Sequence, residues 1–333
     1  MKNLKIFPSA KSFFAVQEII FMDTLKKIEE LIIGERFSEA FGLLISEAPE
    51  DLKPIIEKSI SEPEILKDIE GFWKDLALLV HFSYSSTMLS KENDNRSLVS
   101  CVVASVSAIK IAMKLGAMRV APRMMLNAGR ALSIMKMDER AERMLLEAEK
   151  ICIDYGNEDE LLNVYNELSS LYYGEGRYEE AREKIDSALK LAAQREDEAV
   201  AESFSIAAEI YAKLGEFEKA EGFYEKAREL LQEIVRQEKS SKLELGILLS
   251  NYAIFCRRLG KYGEAEKMLL ESLEIFEELE KLDFTFAQFV ATNLRHLGDL
   301  YREMKRFEDA EEFYKRSREK FREIQQSWEG FAC

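Results

Sequence analysis

One short motif recurs along the second half of the chain, and it constrains the fold more than any other feature. Residues 174–181 read GEGRYEEA, and near-copies follow as LGEFEKA at 214–220, LGKYGEA at 259–265 and MKRFEDA at 304–310. A weaker copy precedes them. A recurrence every few tens of residues indicates stacked copies of one supersecondary unit. The alanine that ends each copy serves as its anchor: Ala141, Ala181, Ala220, Ala265 and Ala310.

The residues around each anchor alanine predict two helices joined by a turn. An aromatic residue stands three positions before the anchor in four copies, a large residue four positions after it, and a small residue seven positions after it. These spacings define one face of a helix. Gly176, Gly215 and Gly260 suit a tight or left-handed turn. A hairpin of this kind has apolar residues on both faces, so we expect neighbouring hairpins to stack and bury them.

This pattern resembles the tetratricopeptide repeat, most clearly in LSSLYYGEGRYEEAREKIDSAL (168–189) and AAEIYAKLGEFEKAEGFYEKAR (207–228). The resemblance implies an all-α, right-handed solenoid of antiparallel helix hairpins. Two departures stand out: the spacing exceeds the family's usual period of about 34 residues, and the proline that usually ends the second helix is missing. The chain is therefore similar to long-helix members of the superfamily, which include vesicle-fusion adaptors and bacterial peptide-responsive regulators.

The sequence divides into four predicted parts. Residues 120–325 form five repeats, and residues 22–119 form degenerate hairpins of the same solenoid. These include GERFSEA (34–40) and the pair 76–90 and 97–115, whose uncharged stretches are 76–90 and 97–109. A good helix start follows at Met22, with Asp23 or Thr24 as its N-cap. Residues 1–21 are therefore either a peripheral segment, which we favour, or an upstream start that translation does not use. Residues 326–333 are a C-terminal tail in which Trp328 and Phe331 fold back or join a second molecule.

The composition of the chain argues against several classes of ligand and activity. A net charge of −15 argues against nucleic acid or anionic lipid as the main ligand. The uncharged stretches fall short of the roughly 20 residues of a membrane span, so we expect no membrane insertion. Four scattered cysteines and two histidines form no metal-binding or catalytic pattern. They predict a cytoplasmic protein without a cofactor or a metal, and not an enzyme.

The family resemblance implies where a partner would bind. In tetratricopeptide proteins the first helices line a concave groove, and asparagines there grip the backbone of a bound peptide. The matching positions, which we expect to be exposed, are Arg123, Asn127, Arg130, Asn163, Asn166, Tyr173, Glu202, Glu209, Asn251, Arg257, Arg295 and Arg302. Asn127 and Asn251 occupy the asparagine position, where an amide offers donors and an acceptor together.

Three functions remain open from the sequence. The leading hypothesis is a protein-interaction scaffold that takes a peptide or helix of a partner in this groove. The first alternative is a homo-oligomer that associates through its C-terminal end. The second is a ligand-sensing regulator like the long-helix bacterial relatives, although no basic output segment is apparent in residues 1–75.

Overall fold

A computed structural model describes the backbone of residues 10–91, 94–193, 195–237 and 241–331, and the side chains of these ranges from residue 22 to residue 327. Throughout these ranges the secondary structure is helical, with no strand, which confirms the predicted all-α fold class. The chain divides into two compact units, Met1–Glu175 and Gly176–Cys333.

Unit 1 holds eight α-helices within its described residues, and the pairs α1–α2, α4–α5 and α6–α7 pack as hairpins. The uncharged stretches predicted to pair do so as α4 and α5, and α6 packs against both. A short 3-10 segment, Pro63–Asp68, precedes α4. The helices are α1 (Ala10–Ile33), α2 (Phe37–Glu47), α3 (Lys53–Ser59), α4 (Phe72–Leu89), α5 (Asn95–Leu115), α6 (Ala121–Ile134), α7 (Asp138–Tyr155) and α8 (Glu158–Gly174).

Unit 2 continues the pattern with seven α-helices over its described residues. The pairs α10–α11, α12–α13 and α14–α15 are hairpins, and α13 also packs against α14 of the next hairpin. The second helices α11 and α13 are 21 residues long, against 15 for α9, so the longer repeat spacing is taken up partly by longer helices. The helices are α9 (Tyr178–Ala192), α10 (Glu198–Lys213), α11 (Phe217–Gln237), α12 (Lys242–Arg258), α13 (Tyr262–Leu282), α14 (Ala287–Glu303) and α15 (Phe307–Phe331).

The anchor alanines and the small residues that follow them lie in the core, as their pattern predicts. All five anchors are buried, and so are the five residues seven positions later: Ala148, Ala188, Ala227, Ser272 and Ser317. The reason is visible in the first helices. A Cβ atom at Gly129 would lie 2.7 Å from Leu145, and one at Gly298 would lie 2.7 Å from Tyr314. In these two hairpins the large side chain four residues after the anchor therefore packs directly on the backbone of the first helix.

The turn before each anchor has the same backbone in every copy, whether or not it contains glycine. Gly176, Gly215 and Gly260 have φ values of 78°, 81° and 76°, as expected for a left-handed turn. Glu35, Lys136 and Lys305, also five residues before an alanine, have φ values of 55°, 60° and 62°. In each of these lysine and glutamate turns, the next residue donates its N–H to a carbonyl oxygen five residues back, which is the hydrogen bond of a Schellman cap.

The two ends of the chain differ from expectation. The helix start predicted at Asp23 or Thr24 is wrong, because α1 begins at Ala10 and runs through that position. The boundary between residues 21 and 22 therefore falls inside α1, and the one between 325 and 326 falls inside α15. Residues 1–9 and the side chains of Trp328 and Phe331 lie outside the described part of the structure.

Helix α5 is longer than its uncharged stretch indicated. It covers 21 residues, and among the described helices it alone is long and apolar enough to cross a membrane by length and composition. The helix exceeds the uncharged stretch 97–109 because Arg96, Lys110 and Lys114 also lie on α5. In the structure α5 packs between α4 and α6 and buries Leu98, Cys101 and Ala108.

The turn conformation predicts opposite effects for two substitutions in unit 2. Lys305→Gly should raise the free energy of unfolding by about 0.5–1 kcal/mol, because a lysine in the left-handed region is strained and glycine is not. Gly260→Ala should lower it by about 1 kcal/mol for the same reason. Urea unfolding followed by circular dichroism measures both, and a shift of both variants in the same direction would contradict this account of the turn.

Close packing on the first helix predicts a contrast between two glycines. A Cβ at Gly246 of α12 would lie 2.7 Å from the Phe276 ring, whereas one at Gly222 of α11 would meet nothing within 4 Å. Gly246→Ala should therefore destabilise the chain by about 1–3 kcal/mol through overpacking. The control Gly222→Ala should stabilise it by about 0.5–1 kcal/mol through helix propensity. Equal unfolding midpoints for the two variants would refute the packing argument.

Candidate functional site

The first helices of unit 1 carry their arginines in internal ion pairs. Arg123 of α6 donates from Nε to Glu160 Oε1 at 2.6 Å and from a terminal nitrogen to Glu35 Oε1 at 2.6 Å. Glu160 is fully buried, so Arg123 compensates a charge that would otherwise be costly in the core. This geometry makes Arg123 a link between α6, α8 and the turn before α2.

Arg130 repeats this arrangement one heptad further along α6. Its Nε donates to Glu167 Oε2 of α8 at 2.9 Å, and both side chains are only partly exposed. The sequence separation between arginine and glutamate is 37 residues in both pairs. The pairs therefore join successive first helices, and they reduce the charge that either arginine offers to a ligand.

Two asparagines predicted to be exposed are buried, and that expectation is corrected. Asn127 is 5% exposed and Asn166 is 1% exposed. Asn127 donates from Nδ2 to Ser86 Oγ at 3.0 Å, and Ser86 shares a 2.8 Å hydrogen bond with Ser105. This polar network lies between α4, α5 and α6, so the Asn127 amide packs the hairpins together at this position.

The other two predicted positions of unit 1 lie on α8. Asn163 and Tyr173 are half-buried. Both have part of their side chains at the surface, unlike Asn127 and Asn166.

In unit 2 the predicted residues lie on three successive first helices, α10, α12 and α14. Asn251 of α12 donates from Nδ2 to Glu209 Oε1 of α10 at 2.8 Å. Both side chains are half-buried. Burial raises the pKa of the Glu209 carboxyl, while the hydrogen bond from Asn251 lowers it in part. The pair thus links two first helices and leaves the amide oxygen of Asn251 as an acceptor.

The arginines of α12 and α14 have different surroundings from one another. Arg257 is half-buried and pairs with Glu303 at 3.1 Å, and Asp299 lies 4.0 Å away. Arg302 is more exposed and reaches Asp299 at 3.5 Å. Arg295 on α14 is exposed, and so is Glu202 on α10. The first helices of unit 2 therefore present a polar surface with both signs of charge.

The pairing of these arginines with acidic residues was not predicted from the sequence. The acidic residues are Glu35, Glu160, Glu167, Asp299 and Glu303. A signal was present for two of them, because Glu160 and Glu167 repeat the seven-residue spacing of Arg123 and Arg130 on the neighbouring first helix.

The histidines and cysteines sit in packed surroundings. Ser59 Oγ lies 3.1 Å from His81 Nε2, but both residues are buried and the ring also contacts Phe41. Burial lowers the pKa of His81 to about 4, which keeps the ring neutral. Cys101, Cys152 and Cys256 are buried free thiols, and among the described residues no group of three His, Cys, Asp or Glu side chains could hold a metal ion.

Comparison with known proteins identifies the repeats. The family model described as tetratricopeptide repeat matches residues 160–233 and 244–323. No curated protein matches the chain.

Solved structures show the same fold at low sequence identity. The apo form of the quorum sensor NprR from B. thuringiensis is 16% identical, with a TM-score of 0.56 over 91% of this chain and 88% of that one. NprR in complex with its cognate peptide NprX is 16% identical, with a TM-score of 0.53 over 98% and 89%. BtubC from P. vanneervenii is 21% identical, with a TM-score of 0.50 over 74% and 91%.

The repeated hairpins, their buried anchors and the family match lead to one conclusion. Residues 160–233 and 244–323 are similar to tetratricopeptide repeats, and the chain shares the helical repeat fold of the solved structures.

Proposed function

We propose that this chain is a non-enzymatic, cytoplasmic interaction protein that binds a peptide segment of a partner protein on the surface of its first helices. One observation carries the proposal: in unit 2 the variable polar residues of α10, α12 and α14 lie on adjoining helices and are connected across them by Asn251–Glu209 and Arg257–Glu303. Such cross-helix contacts hold donors and acceptors in place before a ligand arrives, which lowers the entropy cost of binding.

The chemistry of this surface suits a polypeptide. Asn251 retains an acceptor oxygen, and amide groups pair readily with a peptide backbone. Exposed Arg295 offers a cation for a carboxylate of the peptide. A solved structure of similar fold, NprR with the peptide NprX, supports a peptide as the ligand class.

The buried thiols and the charge agree with this proposal. Three buried free cysteines suit a reducing compartment. The net charge of −15 favours a protein partner over nucleic acid.

The proposal predicts that a charge reversal on a first helix weakens peptide binding. A displayed library of linear peptides of about twelve residues is selected against the full chain, and fluorescence anisotropy measures the affinity of the best binder. Arg295→Glu should weaken binding by about tenfold, since it removes a charge-assisted contact and adds repulsion. The matched control is Lys267→Glu, an exposed charge reversal on the second helix α13, which should leave the affinity unchanged. Failure to select any peptide, or equal affinity for Arg295→Glu and wild type, would contradict the proposal.

The Asn251–Glu209 pair predicts a pH-dependent loss of stability. The pKa of Glu209 is raised, so the folded state disfavours the ionised carboxylate. The contribution of Glu209 to the free energy of unfolding therefore falls as the pH rises through that pKa. Asn251→Ala removes the donor to the carboxylate, raises the pKa further and should lower the free energy of unfolding by about 1–3 kcal/mol at pH 7. The loss should shrink near pH 4, where the carboxyl binds a proton.

Urea unfolding of wild type and Asn251→Ala at the two pH values measures this difference. Asn163→Ala, a half-buried asparagine of α8, is the control. A loss of equal size at both pH values would show that the Glu209 carboxylate is not what Asn251 stabilises.

A further inference from the structure

A continuous stretch of this acidic chain contains no acidic residue. Residues 95–137 include no aspartate or glutamate, although the chain as a whole has a net charge of −15. Every ionised side chain in the stretch is basic: Arg96, Lys110, Lys114, Arg119, Arg123, Arg130 and Lys136. The stretch comprises α5, α6 and the turns that flank α6, so one hairpin region of unit 1 differs in charge from the rest.

The structure separates the inward and outward cations of this stretch. Arg123 and Arg130 of α6 pair with glutamates of α8 within unit 1. On α5, Arg96 and Lys110 are exposed, and Lys114 is exposed while it contacts Asp75 of α4 at 2.6 Å. Helix α5 buries its other side against α4 and α6. Lys136, in the turn after α6, is also exposed, so α5 carries three of the four exposed cations of the stretch.

The outward face of α5 also carries apolar side chains at a regular spacing. Val99, Val103 and Met113 are 48%, 58% and 62% exposed, and Val106 is half-buried. Together with Lys110, they occupy positions 99, 103, 106, 110 and 113, so the intervals alternate between four and three residues. Residues at such intervals form a stripe along one face of a helix, and two helices of a coiled coil pack against each other along such stripes. We call the stripe at positions 99, 103, 106, 110 and 113 the seam. The seam is about 21 Å long at 1.5 Å per residue.

The charges on and beside the seam distinguish between three possible binding partners: a second copy of the chain, a lipid bilayer and an acidic helix. A second copy of α5 would bring like charges together: Lys110 would meet Lys110 in a parallel pair, and Arg96 would approach Lys114 in an antiparallel one. A bilayer would have to desolvate the Lys110 ammonium, which stands within the seam, and this is costly. A helix with acidic residues would satisfy both the apolar spacing and the cations.

We propose that the outward face of α5 docks an amphipathic helix of a partner protein, with apolar residues on Val99, Val103 and Met113 and an acidic residue opposite Lys110. Arg96 and Lys114 stand near the two ends of the seam and favour further acidic residues at the ends of the partner helix. This surface lies on a second helix of unit 1, so it is distinct from the first-helix surface of unit 2.

Two designed peptides of about three heptads test the proposal. Both have the same apolar seam; one carries glutamate at the central seam position and at its flanks, and the other carries lysine there. Binding of the fluorescent peptides to the full chain is measured at low salt, where charge pairs are least screened. Wild type should bind the glutamate peptide at least about tenfold more tightly than the lysine peptide, and Lys110→Glu should reverse that preference.

Val103→Glu should weaken binding of the glutamate peptide by about tenfold or more, because it places a carboxylate in the apolar seam. The matched control is Ile153→Glu on α7, since Ile153 is also 58% exposed; it should bind like wild type. If Val103→Glu fails to fold by circular dichroism, the reversal by Lys110→Glu still decides the question, because Lys110 is a solvent-exposed charge.

Four outcomes of the binding experiments would overturn the proposal. They are absence of binding to either peptide, equal affinity for both peptides, undiminished binding by a folded Val103→Glu variant, and recruitment to vesicles with about 30 mol % phosphatidylserine in place of the peptide. Light scattering that shows a dimer in wild type and a monomer in Val103→Glu would point to a second copy as the occupant and would also overturn it.

Discussion

The structure depends on one packing contact, repeated from hairpin to hairpin: a large side chain of the second helix rests on the backbone of the first helix. Leu145 on Gly129 and Tyr314 on Gly298 show it most clearly, because neither glycine could carry a Cβ atom without displacing its neighbour. The contact sets the separation of the two helices, and the buried anchor alanines maintain it along the hairpin. Each hairpin then presents its remaining residues on the outside, where they are free to vary.

The repeated residues could be predicted from the sequence because they report contacts within one hairpin. The anchors, the small residues after them and the three turn glycines all lie where their periodicity places them. Lys136 and Lys305 adopt the same left-handed turn without glycine, since the Schellman hydrogen bond is made by the backbone. Residue type did not predict a left-handed turn at these two lysines. Their position five residues before an anchor alanine would have predicted it.

The candidate site was harder to predict because it depends on contacts between hairpins. Asn127 and Asn251 occupy equivalent positions, yet Asn127 is buried against Ser86 and Asn251 is half-exposed beside Glu209. The difference arises from the neighbouring helix, which offers a small serine in one case and a carboxylate in the other. Repeat spacings that vary from copy to copy also change which residues of adjoining helices meet. A pattern read within single repeats contains neither kind of information.

The repeated residues stabilise the hairpins, and we propose that the variable residues of the first helices recognise the partner. Hydrogen–deuterium exchange of the full chain, with and without a selected peptide, tests this division most directly. We expect the peptide to increase protection in α10, α12 and α14 and to leave the second helices α11, α13 and α15 unchanged. Protection confined to the second helices, with no change in α10, α12 and α14, would contradict it.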